Sequence, residues 1–189
     1  MTRINDFKSY KERRNMKSIM ISLVFSAIFA TTSTQVLAET GIYTDIDVMY
    51  NQVKVNNGKF NPWSGKIKLG YNITKNWAVE GQYGTSFKDD TDQGVTLELK
   101  QVMGAYVRWG SDMHNNVRLY ILLGQGRSVV EYTGSEKHED TLDGFSWAIG
   151  AEERSSTFKT MSYTVEYTSY YHKSGQDVSG LSLGLRFDF

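Results

Sequence analysis

His172 and Ser174 stand two residues apart in YYHKSGQD, and in an extended chain residues i and i+2 project from the same face. An imidazole that accepts the proton of a neighbouring hydroxyl turns that serine into a nucleophile, the chemistry of acyl hydrolysis. The arrangement needs an acid to orient the histidine, and only Glu166 or Asp177 could substitute for it. A single His-x-Ser is also a frequent coincidence of composition. The other histidines, His114 and His138, are each alone, and lone loop histidines are ordinary surface residues. The acidic runs Asp89-Asp90-Asp92 and Glu136-Glu139-Asp140-Asp143 could attract a divalent cation but lack the register of an EF-hand. The chain has no cysteine, so neither a disulfide nor a thiolate site is available. These observations predict no enzyme, no metal and no cofactor.

The remaining charged residues with chemical potential are spread over alternating positions: Lys66, Lys68, Glu80, Glu98, Lys100, Arg108, Glu152, Arg154, Glu166 and Arg186, with Asp45 and Asp47 before them. The elements that carry them repeat with period two in segments of about ten residues, the signature of strands. GIYTDIDVMY sets Ile42, Ile46, Val48 and Tyr50 against Tyr43, Asp45, Asp47 and Met49. SGKIKLGYNI, NWAVEGQYGTSF and VTLELKQVMGAYVRW follow, the last with Leu97, Leu99, Met103, Ala105, Val107 and Trp109 opposite Glu98, Lys100, Gly104, Tyr106 and Arg108. VRLYILLGQGRSVVEY is blurred by Leu122; GFSWAIGAEER, TMSYTVEYTSYY and LSLGLRFDF complete eight strands.

Residues 1–38 differ. Arg13, Arg14 and Lys17 precede the apolar IMISLVFSAIFA, and Val36-Leu37-Ala38 ends the segment. A basic start, a short apolar run and a small residue at the cut describe a secretory signal peptide, and twelve residues are too few for a membrane-spanning helix. Met16 begins a compact signal by itself. Cleavage after Ala38 is expected, leaving residues 39–189 with 15 Lys and Arg against 19 Asp and Glu. That balance and the lack of a basic, aromatic-interleaved patch exclude nucleic acid as a partner.

An even number of strands in up-and-down order places TKN, GSDMHNN and SSTFK at one end and four polar loops at the other. One strand face carries charge mixed with Gly70, Gly84, Gly104, Gly124, Gly150 and Gly184. Glycine weakens a solvent-exposed sheet, whereas in a crowded polar lumen it leaves room for long paired side chains. Aromatic residues gather near segment ends, where interfacial girdles belong. The expectation is an all-β fold: an eight-stranded antiparallel up-and-down transmembrane β-barrel.

The segments LYILLGQG, GFSWAIGAEER and YTVEYTSYYHKSGQDVSGLSLGLRFDF resemble the small outer-membrane β-barrel family, which includes the OmpA membrane domain, OmpX/Ail-like proteins and the opacity-type "porin family" barrels. The resemblance implies a Gram-negative outer-membrane location reached through the Sec pathway, and contact with outer-membrane lipid and lipopolysaccharide. It also implies that Leu183, Leu185, Phe187 and Phe189 resemble the last-strand signal read by the barrel-assembly machinery. His172 and Ser174 resemble the His-x-Ser of the outer-membrane lipid A deacylases, but Gly175 replaces the asparagine of that family. The predicted function is a monomeric structural and surface-interaction protein of the envelope, with a possible extracellular ligand at the loops. Eight strands enclose a space that side chains just fill, and nearly balanced lumen charges predict a plug. The alternatives are a small-solute channel and a deacylase-like hydrolase.

Overall fold

The computed structural model describes residues 41–55, 58–92, 94–134, 137–173 and 175–189, so the expected signal peptide lies outside the described residues. Ten strands follow in chain order: β1 (Gly41–Val55), β2 (Gly58–Phe60), β3 (Trp63–Asn72), β4 (Trp77–Lys88), β5 (Asp90–Asp92), β6 (Val95–Gly110), β7 (Val117–Thr133), β8 (Lys137–Arg154), β9 (Met161–Lys173) and β10 (Gln176–Asp188). β2 and β5 are short arms that pair only with the far ends of β1 and β6. The other eight form an antiparallel ring, closed where β10 pairs β1 from Tyr43↔Asp188 to Val55↔Gln176. Closure gives the strands of the wall a neighbour on each side, which is what lets a sheet sit in hydrocarbon.

Near the short turns the alternation runs as the sequence predicts. Lys66 and Lys68 point inward at 1 % and 0 % exposure, while Ile67, Leu69 and Tyr71 face out. Leu122, ambiguous in the sequence, is fully buried, and Ile121 and Leu123 are exposed on either side of it. Glycine makes room for inward tyrosines: Tyr43 lies opposite Gly70 and Tyr120 opposite Gly150, and the Tyr106 ring lies over Gly104, two residues before it on β6. A Cβ at Gly70 or Gly150 would collide with the facing ring, so the pairs Tyr43–Gly70 and Tyr120–Gly150 are the aromatic-over-glycine packing that stabilises barrel strands.

Toward the long-hairpin end the polarity reverses. Met49, Val53, Leu97, Leu99, Val130 and Val178 form one apolar cluster inside the barrel, each at 0 % exposure. Outward positions there carry Lys54, Arg127, Glu139 and Asp143. In β6 a bulge between Leu99 and Gln101 brings this about: the extra residue exchanges the two faces. This corrects the uniform alternation read from VTLELKQVMGAYVRW. Leu97 and Leu99 belong to the interior, and Glu98 and Lys100, expected in the lumen, belong to the outer surface. The physical reason is a change of solvent. Where lipid surrounds the wall, apolar side chains face out; where water surrounds it, they face in as in any soluble sheet.

Candidate functional site in the barrel interior

The charged interior is built in two tiers. In the inner tier, Glu166 on β9 accepts hydrogen bonds from Lys66 Nζ at 2.7 Å and Lys68 Nζ at 3.0 Å, both lysines projecting from β3. Asp47 Oδ2 lies 3.1 Å from Lys68 and 3.4 Å from Lys66, and Asp45 Oδ2 lies 3.4 Å from Lys68. Thr168 Oγ1 donates to Glu166 at 2.9 Å. Glu80 accepts from Gln82 Nε2 at 2.8 Å, and Tyr170 donates its hydroxyl proton to Gln82 Oε1 at 3.2 Å, joining this tier to the apolar cluster.

The second tier lies at the ends of β6, β8 and β10 and the start of β7, next to the short turns. Glu152 collects three guanidinium groups: Arg108 and Arg186 on Oε2, the latter at 3.2 Å, and Arg118 on Oε1 at 3.5 Å. Arg186 also holds Asp188 at 2.8 Å. Arg154, two residues beyond Glu152, shares its inward parity, is half-buried and joins none of the ion pairs found among the described residues.

Two tyrosines separate the tiers. Tyr43 donates its hydroxyl proton to Glu80 Oε2 at 2.6 Å, and Tyr120 to Glu166 Oε2 at 3.1 Å. On their faces stack arginines of the other tier: Arg186 lies 3.6 Å from the Tyr43 centroid, and Arg108 lies 3.9 Å from that of Tyr120. Each ring therefore offers its acidic edge to one tier and its electron-rich face to the other.

Outside, the apolar wall is a belt bounded by aromatics. Tyr50 and Trp63 meet at 5.2 Å between centroids, Trp147 and Tyr167 at 5.7 Å. Trp77 and Trp109 face each other across β4 and β6 next to the short turns. Ile46, Leu69, Leu119, Ile149 and Leu183, 44 % to 63 % exposed, lie between these rings. An exposed apolar surface of that kind requires a hydrocarbon solvent.

A family model described as the outer membrane protein beta-barrel domain matches residues 21–189. The chain belongs to that family. Three solved structures share its fold. Ail of Yersinia pestis, solved in complex with the heparin analogue sucrose octasulfate, is 16 % identical, with a TM-score of 0.62 over 80 % of this chain and all of its own. Neisserial surface protein A is 19 % identical, with a TM-score of 0.60 over 79 % of this chain and 97 % of that one. The N-terminal β-barrel domain of Pseudomonas aeruginosa OprF is 12 % identical, with a TM-score of 0.54 over 78 % and 99 %. No curated protein matches by sequence.

Outer-membrane barrels keep short turns on the periplasmic side and longer loops outside the cell, and the two ends of this barrel are named accordingly. Of the residues expected in the lumen, Lys66, Lys68, Glu80 and Glu166 meet in or beside the inner tier; Arg108, Glu152 and Arg186 meet in the periplasmic one. Arg154 stands at the periplasmic rim, and Glu98 and Lys100 are outside. Lys100 Nζ meets Glu131 at 2.6 Å on the extracellular surface, where Lys137 reaches the same carboxylate at 2.7 Å. His172 is exposed near the extracellular end of β9, with Nδ1 3.4 Å from Asp177. Its expected partner Ser174 lies outside the described residues. Glu166, the other acid considered, is committed to the two buried lysines far down the strand. Leu183, Leu185 and Phe189 are exposed on the outward face of the last strand, Phe187 is half-buried, and the Phe189 amide donates to the Ile42 carbonyl.

The tyrosine partition was missed in the sequence. Tyr43 stands there only as one member of the polar face of the first strand and Tyr120 is not singled out, and only their packing against glycine, arginine and glutamate from other strands gives them a role.

Proposed function

We propose that this outer-membrane barrel is a closed, non-conducting envelope protein that meets extracellular partners through its β7–β8 hairpin. The observation that carries the reading is the free edge of β8. Pairing of β8 with β9 stops at Trp147↔Ser169, whereas pairing of β8 with β7 continues for ten more residues to Thr133↔Lys137. The hairpin therefore rises above the aromatic belt with an unsatisfied strand edge, the geometry that recruits an extended peptide by strand addition.

The chemistry of that arm favours a basic partner. Glu131, Glu139, Asp140 and Asp143 outnumber Arg127 and Lys137 on it. Ail has been solved with a sulfated polyanion; an acidic arm is poorly matched to such a ligand, so an extended segment rich in lysine or arginine is the class proposed here.

A plugged lumen is supported by the buried ion pairs of the two tiers and by the buried apolar cluster that caps them. This favours the structural role over the small-solute channel. For the deacylase reading, the described residues offer an exposed histidine beside Asp177. Export by the Sec pathway with cleavage after Ala38, insertion by the assembly machinery through the last strand, contact with lipopolysaccharide and a monomeric state are part of the same proposal.

The test uses cells displaying the full chain and a variant lacking residues 131–139. Loss of binding to lysine-rich peptides or matrix proteins in the variant, with heat-modifiable gel mobility retained, is the expected result. Equal binding by both would overturn the surface role. Steady, reproducible conductance of the parent in planar bilayers would overturn the plug.

A further inference from the structure

The periplasmic tier holds more positive charge than its partners neutralise. Arg108, Arg118 and Arg186 share the two carboxylates Glu152 and Asp188, and Arg154 stands at the same end without an ion pair among the described residues. The carboxylates of the inner tier do not supply the deficit directly, because the rings of Tyr43 and Tyr120 stand between and their hydroxyl groups already serve Glu80 and Glu166. Each nitrogen of Arg186 has an acceptor, on Glu152, Asn72 or Asp188. The other three arginines differ. The Nε atoms of Arg108, Arg118 and Arg154 are buried donors with no acceptor, and a buried, unpaired charged donor is costly enough to demand a partner. Arg108 itself is only 5 % exposed.

Two of these arginines are neighbours. Arg118 pairs with Glu152 in the β7–β8 register, which makes Arg154 its diagonal neighbour on the same inward face, within reach of long side chains. The Arg154 amide is tied to the Asn116 carbonyl at 2.8 Å, so the turn before β7 fixes the spacing of the two arginines. The mouth is open to water: the side chains of Arg118 and Asp188 are 17 % and 19 % exposed.

We infer that the periplasmic mouth of the barrel is a binding site for a phosphate-type oxyanion, held between Arg118 and Arg154 with Arg108 behind them. A tetrahedral dianion offers each planar guanidinium a pair of oxygens and brings acceptors to the donors that lack them. The same chemistry is carried by soluble periplasmic phosphates and by the headgroup of an inner-leaflet anionic phospholipid.

The full chain is folded into nonionic detergent micelles and its unfolding midpoint followed by gel shift against inorganic phosphate or pyrophosphate, with chloride at equal ionic strength as the control. A saturable rise with phosphate and none with chloride is expected. Arg118→Gln and Arg154→Gln should each weaken the apparent affinity about tenfold while remaining folded by gel mobility, and Arg127→Gln, on the outer surface, should not change it. Equal effects of phosphate and chloride, or a phosphate response that survives both mouth substitutions, would overturn the site. Nanodiscs separate the sources. Competition between phosphatidylglycerol and added phosphate in the parent, lost in Arg118→Gln, identifies a lipid headgroup; indifference to lipid composition with phosphate binding retained identifies a soluble ligand. Either result supports the oxyanion site.

Discussion

Lys66 and Glu166 are 100 residues apart in the chain and meet at 2.7 Å inside the barrel, with neither side chain exposed. A charge in that position is tolerable only while its partner is present. Glu166→Ala leaves two ammonium groups with only Asp45 and Asp47 at 3.1 Å to 3.4 Å. It should lower the unfolding free energy by about 3–5 kcal/mol. Urea unfolding in lipid vesicles, followed by tryptophan fluorescence, measures this, and a midpoint equal to the parent's would contradict the role given to the pair.

The bulge in β6 makes two adjacent residues respond in opposite ways. Leu99 is fully buried in the extracellular cluster, so Leu99→Ala should cost about 2–5 kcal/mol. Glu98→Ala, on the outer surface, should change stability by no more than about 0.5 kcal/mol. Had the alternation continued without a bulge, Glu98 would be the sensitive residue; denaturation of the two single variants decides between these registers.

Leu183 lies midway along the outward face of β10 and is 63 % exposed. In water its replacement by arginine would be mild. In a bilayer an arginine there should destabilise the barrel by about 2–4 kcal/mol, whereas Gln52→Arg, beyond Tyr50 on the same side of the wall, should be nearly neutral. Equal tolerance at the two positions would place the belt elsewhere.

On the extracellular surface the Lys100 hydrogen bond, followed by that of Lys137, holds the Glu131 carboxyl below the usual carboxylate range. A depressed folded value means that the stabilisation is complete above the unfolded value, about 4.3, and is lost as pH falls through the lower folded one. A carboxyl-carbon NMR titration should give a midpoint under that reference, and Lys100→Gln should raise it. A parent midpoint at or above about 4.3 would rule out the clamp.

Much of the fold is legible in single segments. Ile67, Leu69 and Tyr71 against Lys66 and Lys68 announce both a strand and a polar interior, because side-chain direction in a strand is a local property of period two. The glycines opposite Tyr43 and Tyr120 are visible as glycines, but not as the cavities into which those rings pack. Arg108, Glu152 and Arg186 can be recognised as lumen charges, yet nothing in the chain indicates that a single carboxylate gathers three arginines. The extracellular half misleads a local reading, since alternation says that two faces differ and not which solvent each one meets.

The sequence by itself determined that this protein is an antiparallel barrel of eight strands with an apolar band outside and charge inside, because alternation, even strand count and aromatic placement are written along the chain. Only the tertiary structure decided where the band ends, through the extra residue between Leu99 and Gln101 that turns the leucines inward once the wall leaves lipid. It also decided which charges meet. Lys66 and Glu166, or Arg118 and Arg154, become neighbours through barrel closure and strand stagger, and these are set by the packing of all the strands together.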